Sequence, residues 1–331
     1  MNKKLYYIEN TCTNPYFNLA LEEYLLTSKP GMDFVTLWQN ENTVVIGNNQ
    51  NAYEEINSQF VSDNSISVVR RTTGGGAVYH DLGNLNFSFI TDLDEKDGHT
   101  INDFVKPVIS ALAEMGVMAE ANGRNDITID GQKISGNAQR IYKNRILHHG
   151  TLLYNSDVKK ISGALNVRPE KFESKSTKSV ESRITNISKY LTNGTSIKEF
   201  KKNLLTAFFN NSNIDQYLLT KEDIIAVNEL ANTKYADPKW TFRSAQPMDM
   251  HTFARFDGGF IEIRLKITSD KITACQINGD FMSVTDVDLL ENTLVGTEFS
   301  PDAIKSAIVA FPLKDILGEI TADEIIECIF K

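Results

Sequence analysis

Apolar residues recur at helical spacing near the start of the chain, at Phe17, Leu21, Tyr24 and Leu25. This pattern predicts an amphipathic helix over 14–28. Asn14-Pro15 supplies an N-cap followed by proline at the first helical position. Short runs at 34–38, 43–46 and 66–69 are rich in β-branched or aromatic residues and too short for helices, so they are predicted as strands. The segment 85–90 alternates as a strand, and 101–115 has helical periodicity, with Pro107 expected to kink it unless it falls in the first turn. Strands are predicted over 126–134 and 146–153, and helices near 157–165, 196–209 and 222–232.

Strands and helices mix without a regular βαβ alternation, which favours an α+β fold over a doubly wound sheet. Pro238, Pro247 and many polar residues mark 235–250 as a linker or domain boundary. Beyond it, apolar runs at 253–256 and 260–267 flank Asp257-Gly258-Gly259, a hairpin signal. A strand over 271–277 and a largely helical tail over 301–330 complete a small second unit. The expected division is therefore a large domain over 1–245 and a small α+β domain over 250–331, in keeping with a length of 331 residues.

Composition narrows the class. With 41% hydrophobic and 23% charged residues the chain reads as an ordinary globular protein. Neither a secretory h-region nor an apolar run of about 20 residues is found, so a cytoplasmic protein without a membrane span is expected. Cys12, Cys275 and Cys328 have no paired spacing, which speaks against a disulfide framework or a zinc site. The net charge of −9 argues against bulk nucleic-acid binding. Yet residues 131–183 hold 11 Lys/Arg against 4 Asp/Glu, while 284–331 hold 3 against 10. A basic middle in an acidic chain points to an anionic ligand or an acidic partner surface.

Two segments carry candidate chemistry. In Arg70-Arg71-Thr72-Thr73-Gly74-Gly75-Gly76-Ala77-Val78-Tyr79-His80-Asp81 the three glycines let backbone approach a ligand, and successive amides can form an anion-binding nest. The two arginines add charge suited to carboxylate or phosphate. No Gly-Lys-Ser/Thr follows, and no helix opens at the third glycine, so neither a P-loop nor a dinucleotide fingerprint is present. In the second segment, Asp130-Gly131 between β-branched runs predicts a two-residue hairpin. Its register sets Ile129 opposite Gln132, Thr128 opposite Lys133, Ile127 opposite Ile134 and Asp126 opposite Ser135. Lys133 then shares a polar face with Asp126. His148 and His149 are adjacent in a strand and point to opposite faces, so they cannot chelate one metal together, and one of them is expected to face a ligand.

Taken together, these residues resemble a known family. Residues 70–84, ending His80-Asp81-Leu82-Gly83-Asn84, are similar to the central motif of lipoate–protein ligases. Gly123-Arg124-Asn125-Asp126 with Lys133-Ile134-Ser135-Gly136-Asn137-Ala138 resembles that family's second motif, and His148-His149-Gly150-Thr151-Leu152-Leu153 its third. Lys178-Ser179-Val180-Glu181-Ser182-Arg183-Ile184-Thr185-Asn186 resembles its adenylate-binding loop, and Asn14-Pro15-Tyr16-Phe17-Asn18-Leu19-Ala20-Leu21-Glu22-Glu23 its opening helix.

The resemblance implies an α+β catalytic domain of the biotin/lipoate ligase type with a small C-terminal accessory domain. It implies activation of lipoate with ATP and Mg²⁺ to lipoyl-AMP, then transfer to a lysine of an acceptor lipoyl domain. Such acceptors would be the E2 subunits of 2-oxoacid dehydrogenases and the glycine cleavage H protein. By the resemblance Lys133 is catalytic, touching both the lipoyl carbonyl and the phosphate. Arg71, Gly76, Ala77, Val78, Tyr79 and Lys133 would hold ATP. Leu19, Arg71, Thr73, Gly76, His80, Lys133, Arg140 and His149 would surround lipoate, and Asp126 would orient Lys133 or a metal. The principal alternative is a cysteine-dependent octanoyl or lipoyl transferase of the same fold, which needs a thiol nucleophile from Cys12, Cys275 or Cys328. Biotin–protein ligase and a non-catalytic lipoate-binding protein are further alternatives. The first lacks its basic glycine-arginine loop here, and the second would not need the lysine, arginines and glycines together.

Overall fold

The computed structural model describes residues 4–93, 100–166, 180–191, 194–210, 213–243 and 248–331. Pro247 and residues 167–179 of the basic run, Lys178 and Ser179 among them, lie outside the described residues. Numbered along the chain, the first strands are β1 (Leu5–Glu9), β2 (Asp33–Trp38), β3 (Thr43–Ile46), β4 (Ser67–Arg70) and β5 (Val78–His80). They are followed by β6 (Asn84–Asp92), β7 (Glu120–Asn122), β8 (Asp126–Ile129), β9 (Gln132–Tyr142) and β10 (Arg145–Leu153). The C-terminal part adds β11 (Met250–Phe256), β12 (Gly259–Thr268) and β13 (Lys271–Gly279).

A mixed seven-stranded sheet has the order β1-β2-β6-β10-β9-β8-β7, with β1 parallel to β2 and its other pairs antiparallel. Alternation along its strands sends two sets of side chains to opposite sides. Val35, Leu37, Leu85, Phe87 and Phe89 meet the helices Ile101–Glu114 and Ile197–Phe208 in one core. Phe34, Trp38, Ile90 and Leu147 meet the helix Pro15–Ser28 in another. That opening helix is capped as the sequence predicts, Asn14 accepting from the amides of Tyr16 and Phe17.

The small sheet β4-β3-β5 lies against this second side. Val45 and Val69 join the core beside the opening helix, while Val44, Ile46 and Tyr79 face a separate cluster with Ile56 and Ile161. The expected helix over 101–115 runs on through Pro107. Proline deletes the bond to the Asp103 carbonyl, and both residues are exposed, so the break falls on the solvent side of the helix.

The C-terminal part has its own core. The antiparallel β11-β12-β13 sheet turns at Asp257-Gly258 and packs Ile261, Ile263, Leu265 and Ile277 against Leu290, Ile304, Ile325 and Ile329 of the tail helices. At about 1.5–3 kcal/mol for each fully buried aliphatic side chain, these isoleucines and leucines form a hydrophobic core of their own. The fold class is α+β, with mixed sheets and flanking helices.

Candidate active site

The glycine-rich segment is the loop from β4 to β5. Arg70, at its entrance, is fully buried and donates to the carbonyls of Gly47, Asn48, Gln50, Trp240 and Thr241. Its guanidinium therefore braces backbone and is not offered to a ligand. Arg71 is also buried, and its Nε donates to Thr73 Oγ1 at 2.8 Å. Its other nitrogens bind the carbonyls of Val45, Gly74 and Gly76, so most of its donors hold the loop in shape. Burial lowers it to about 10, which leaves it charged near neutral pH.

The three glycines serve three different needs. A Cβ on Gly74 would lie 2.7 Å from both the amide N and Oγ of Ser283, so that residue admits the C-terminal part. Gly75 has φ +84°, where other residues are strained. A Cβ on Gly76 would face open space, beside the cavity that Gly76 helps to line.

Across the cavity stands the β8–β9 hairpin, whose turn residues Asp130 and Gly131 both have positive φ, as a two-residue turn of this kind requires. Ile129 pairs with Gln132 and Thr128 with Lys133, as predicted. A bulge then shifts the register, setting Ile127 opposite Ser135 and Asp126 opposite Gly136 rather than opposite Ile134 and Ser135. The extra residue on β9 leaves β8 in phase, so Asp126 stays on the Thr128 face and reaches Lys133 diagonally. Lys133 Nζ lies 2.7 Å from Asp126 Oδ1, both side chains about one-third exposed. Gly136 leaves room for that ammonium, since a Cβ there would lie 3.1 Å from Nζ. The described end of the next motif passes alongside, Thr185 N donating to the Lys133 carbonyl.

A buried polar chain backs the inner wall. Trp38 Nε1 donates to Ser88 Oγ, which donates to Glu22. The Glu22 carboxylate lies 3.0 Å from His149 Nδ1, and His149 Nε2 lies 2.9 Å from Thr73 Oγ1. Trp38, Ser88, Glu22, His149, Thr73 and Arg71 are thereby one connected network. His148 points the other way, buried between Phe87 and Phe104. Burial, with the neighbouring His149, holds it well below its ordinary value.

One cavity is lined by Leu19, Arg71, Gly76, Ala77, Val78, His80, Lys133 and His149, eight of the predicted site residues. Four others do not line it. Thr73 sits behind the wall as the Arg71–His149 link. The Tyr79 side chain turns to the far face of the small sheet and donates to Asn42. Asp126 stands behind Lys133. Arg140 makes a two-pronged pair with Asp286 at 2.6 and 2.7 Å, tying β9 to the C-terminal part.

Sequence reasoning did not single out Trp38, Asn86 and Asn137 in the cavity wall, or Glu22 behind it. Asn18 and Glu22 occupy the buried stripe of the opening helix with Leu21 and Leu25. Polar residues on such a stripe are a legible signal of a buried network. None of the three cysteines lines the cavity. Cys275 and Cys328 belong to the C-terminal core region, where burial raises both thiols.

Residues 14–209 match the family described as lipoyl protein ligase A/B catalytic domain, and residues 246–329 the bacterial lipoate protein ligase C-terminus. The chain is 41% identical over 329 residues to the lipoate-protein ligase LplJ of Bacillus subtilis, covering 98% of this chain and 99% of that protein. Among solved structures it is similar to a bi-partite archaeal lipoate protein ligase from Thermoplasma acidophilum, described with its E2 lipoyl domain. The TM-score is 0.65 at 29% identity, covering 76% of this chain and 100% of the other. It is also similar to a lipoate-protein ligase A bound with ATP, with TM-score 0.64 at 28% identity, covering 73% of this chain and 99% of that one.

Proposed function

The chain belongs to the lipoate–protein ligase family, and from that premise we propose that it activates lipoate with ATP and passes the lipoyl group to a lysine of an acceptor lipoyl domain. The observation that carries this reading is Lys133, held by Asp126 on a rigid hairpin across one cavity from the Gly74–Gly76 loop. The relatives supply the substrates: their names include lipoate, one of the solved structures holds ATP, and another is described with an E2 lipoyl domain.

In the first step a lipoate carboxylate oxygen attacks the α-phosphorus, the bond to the β-phosphate breaks, and pyrophosphate leaves. Two anions must approach, and charge builds on the phosphoryl oxygens. Positioning and a fixed cation therefore supply most of the catalysis. Lys133, which lines the cavity and is paired with Asp126, would touch both the carboxylate and the phosphate. In the second step the acceptor amine attacks the lipoyl carbonyl, loses a proton, and AMP leaves. The same ammonium would stabilise the oxyanion. Leu19, His80 and His149 would surround the acyl chain, with the amides of Gly76, Ala77 and Val78 toward the nucleotide.

Arg71 acts by holding the loop rather than by a free guanidinium, Thr73 by joining Arg71 to His149, and Arg140 by fixing the C-terminal part beside the loop. A Mg²⁺ ion would screen the phosphates and take most of its ligands from them. Among the described residues no group of three or more His, Cys, Asp or Glu is placed to hold a metal, and Asp126 is the carboxylate beside Lys133. The exposed lysines of the basic run over 131–183, Lys143 and Lys159 among the described residues, would draw in an acidic acceptor domain, whereas Arg140 and Arg145 are taken up by Asp286 and Asp92.

The test is lipoate-dependent exchange of pyrophosphate into ATP, with lipoate, octanoate and biotin side by side. Lys133→Ala is expected to lower exchange by about 10²–10³-fold with an unchanged unfolding midpoint. Full exchange in that variant would overturn the assignment of Lys133. Acyl transfer that ignores ATP but vanishes in Cys12→Ser would favour the transferase instead.

A further inference from the structure

A relay of buried asparagines leads from the start of the opening helix to the cavity wall. Asn18 Nδ2 donates to the carbonyls of Cys12 and Gln39, both at 3.0 Å. Carbonyls only accept, so this end of the Asn18 amide is its NH₂, and its oxygen accepts from Asn10 at 2.8 Å. The same Nδ2 lies 2.9 Å from the Asn40 side-chain oxygen. The opposite Asn40 orientation would set one NH₂ against another, so Asn40 is held in a single orientation. Its own Nδ2 then faces His80 Nδ1 at 3.2 Å, and Asn86 brings a second NH₂ toward that nitrogen at 3.5 Å. Nδ1 must accept, so the neutral ring carries its hydrogen on Nε2. That Nε2 is buried with no partner among the described residues, while His80 forms part of the cavity wall, edge-on to Trp38.

We infer that Asn40, oriented by Asn18, is a positioning residue that presents His80 Nε2–H as a donor to a ring sulfur of the dithiolane, and so favours lipoate over a straight saturated acid. The inference rests on the lipoate reading of the cavity. Leu19, Trp38, Val45 and Ala138 give the same cavity apolar walls. An alkyl tail would suit those walls but leave the buried N–H unmet, whereas a polarisable sulfur meets both demands. Burial, reinforced by Arg71 and His149, lowers His80 to about 3, so the ring stays neutral throughout the assay range. Sulfur is a weak acceptor, so discrimination of about 5–10-fold is expected, far below that of a site built around a strong acceptor.

The test uses the full chain with ¹⁵N-labelled histidine. Long-range ¹H–¹⁵N correlation at pH 6–8 should give His80 the Nε2–H tautomer, and lipoate should shift its Nε2 resonance more than octanoate does. Asn40→Asp offers only acceptors and should turn His80 to the Nδ1–H form. In that variant the kcat/KM ratio of lipoate to octanoate should fall about 5–10-fold, through the KM for lipoate. A wild-type His80 in the Nδ1–H form overturns the relay. Equal Nε2 shifts with the two acids, or an unchanged ratio in Asn40→Asp with the tautomer switched, overturns the role in selection. If Asn40→Asp does not fold, the wild-type tautomer and the two titrations still decide. Absence of any lipoate-dependent exchange in the wild type would instead mark failure of the ligase reading, because the tautomer is measured without substrate.

Discussion

At the scale of single residues, Lys133 depends on what its neighbours lack as much as on what they offer. Gly136 leaves room for the ammonium 3.1 Å from where a Cβ would stand. Gly136→Ala should push the flexible lysine tip off Asp126 without disturbing the backbone. Pyrophosphate exchange should fall about 10-fold or more while the denaturation midpoint moves little, since misplacement of a positioned group is costly in rate. A variant with full activity would show that the Lys133–Asp126 pair is not the working geometry. His148 presents the opposite case, a polar ring between two phenylalanines with neither nitrogen partnered among the described residues. Its folded pKa lies well below 6.5, so the folded ring stays neutral where the unfolded chain takes up a proton. Stability is therefore whole above about pH 6.5 and is lost as pH falls below it. His148→Leu should remove that loss, gaining about 1 kcal/mol over the wild type between pH 6.5 and 5.5. Urea unfolding at the two pH values decides it, and equal slopes would refute the burial explanation.

At the scale of elements, the opening helix shows what the sequence could and could not tell. Its span and its Asn14 cap were legible because apolar spacing and cap chemistry are local. The turn at Asp130-Gly131 was legible for the same reason, down to the first two pairs of the hairpin. The bulge beyond them was not, because nothing in Ile127 or Ile134 states how many residues each strand spends between two pairs. Spacing could assign the adjacent histidines to opposite faces but not choose between them; only the family resemblance pointed to His149, and its place at the cavity depends on β10 lying between β6 and β9. Arg70 and Arg71 looked alike as a charged pair, and both are held by carbonyls, but only Arg71 reaches the cavity wall. Long-range pairing makes these distinctions, and the helix contributes through Glu22. Glu22→Ala would leave His149 Nδ1 and Ser88 without an acceptor in a buried site, costing about 1–3 kcal/mol. Calorimetry should show a lower midpoint, and restoration by Glu22→Gln, which keeps one accepting oxygen, would separate lost hydrogen bonding from lost charge.

At the scale of the whole molecule, the C-terminal part reaches the glycine-rich loop through backbone as well as side chains. Gly75 N donates to the Phe281 carbonyl, Ile141 N to that of Val284, and Asn49 Nδ2 to Ser283 Oγ at 2.6 Å. The Arg140–Asp286 pair adds a two-pronged ionic contact at the same seam. Charges alone would make this seam adjustable, because Asp286 is about half exposed and readily solvated. The close approach of Ser283 to Gly74 makes it a matter of shape. A methyl group on Gly74 would lie 2.7 Å from the Ser283 amide nitrogen, and backbone cannot turn aside as a side chain can. Gly74→Ala should therefore lift the 281–286 segment from the loop while both hydrophobic cores persist. Hydrogen exchange offers the direct measurement. The amides of Gly75 and Ile141 should lose protection by about 10-fold or more, while Leu265 and Ile277 inside the C-terminal sheet keep theirs. Ser283→Gly would not restore the contact, because the clash is with the amide rather than the hydroxyl alone. Unchanged protection at Gly75 in Gly74→Ala would mean that the loop, not the C-terminal segment, gives way.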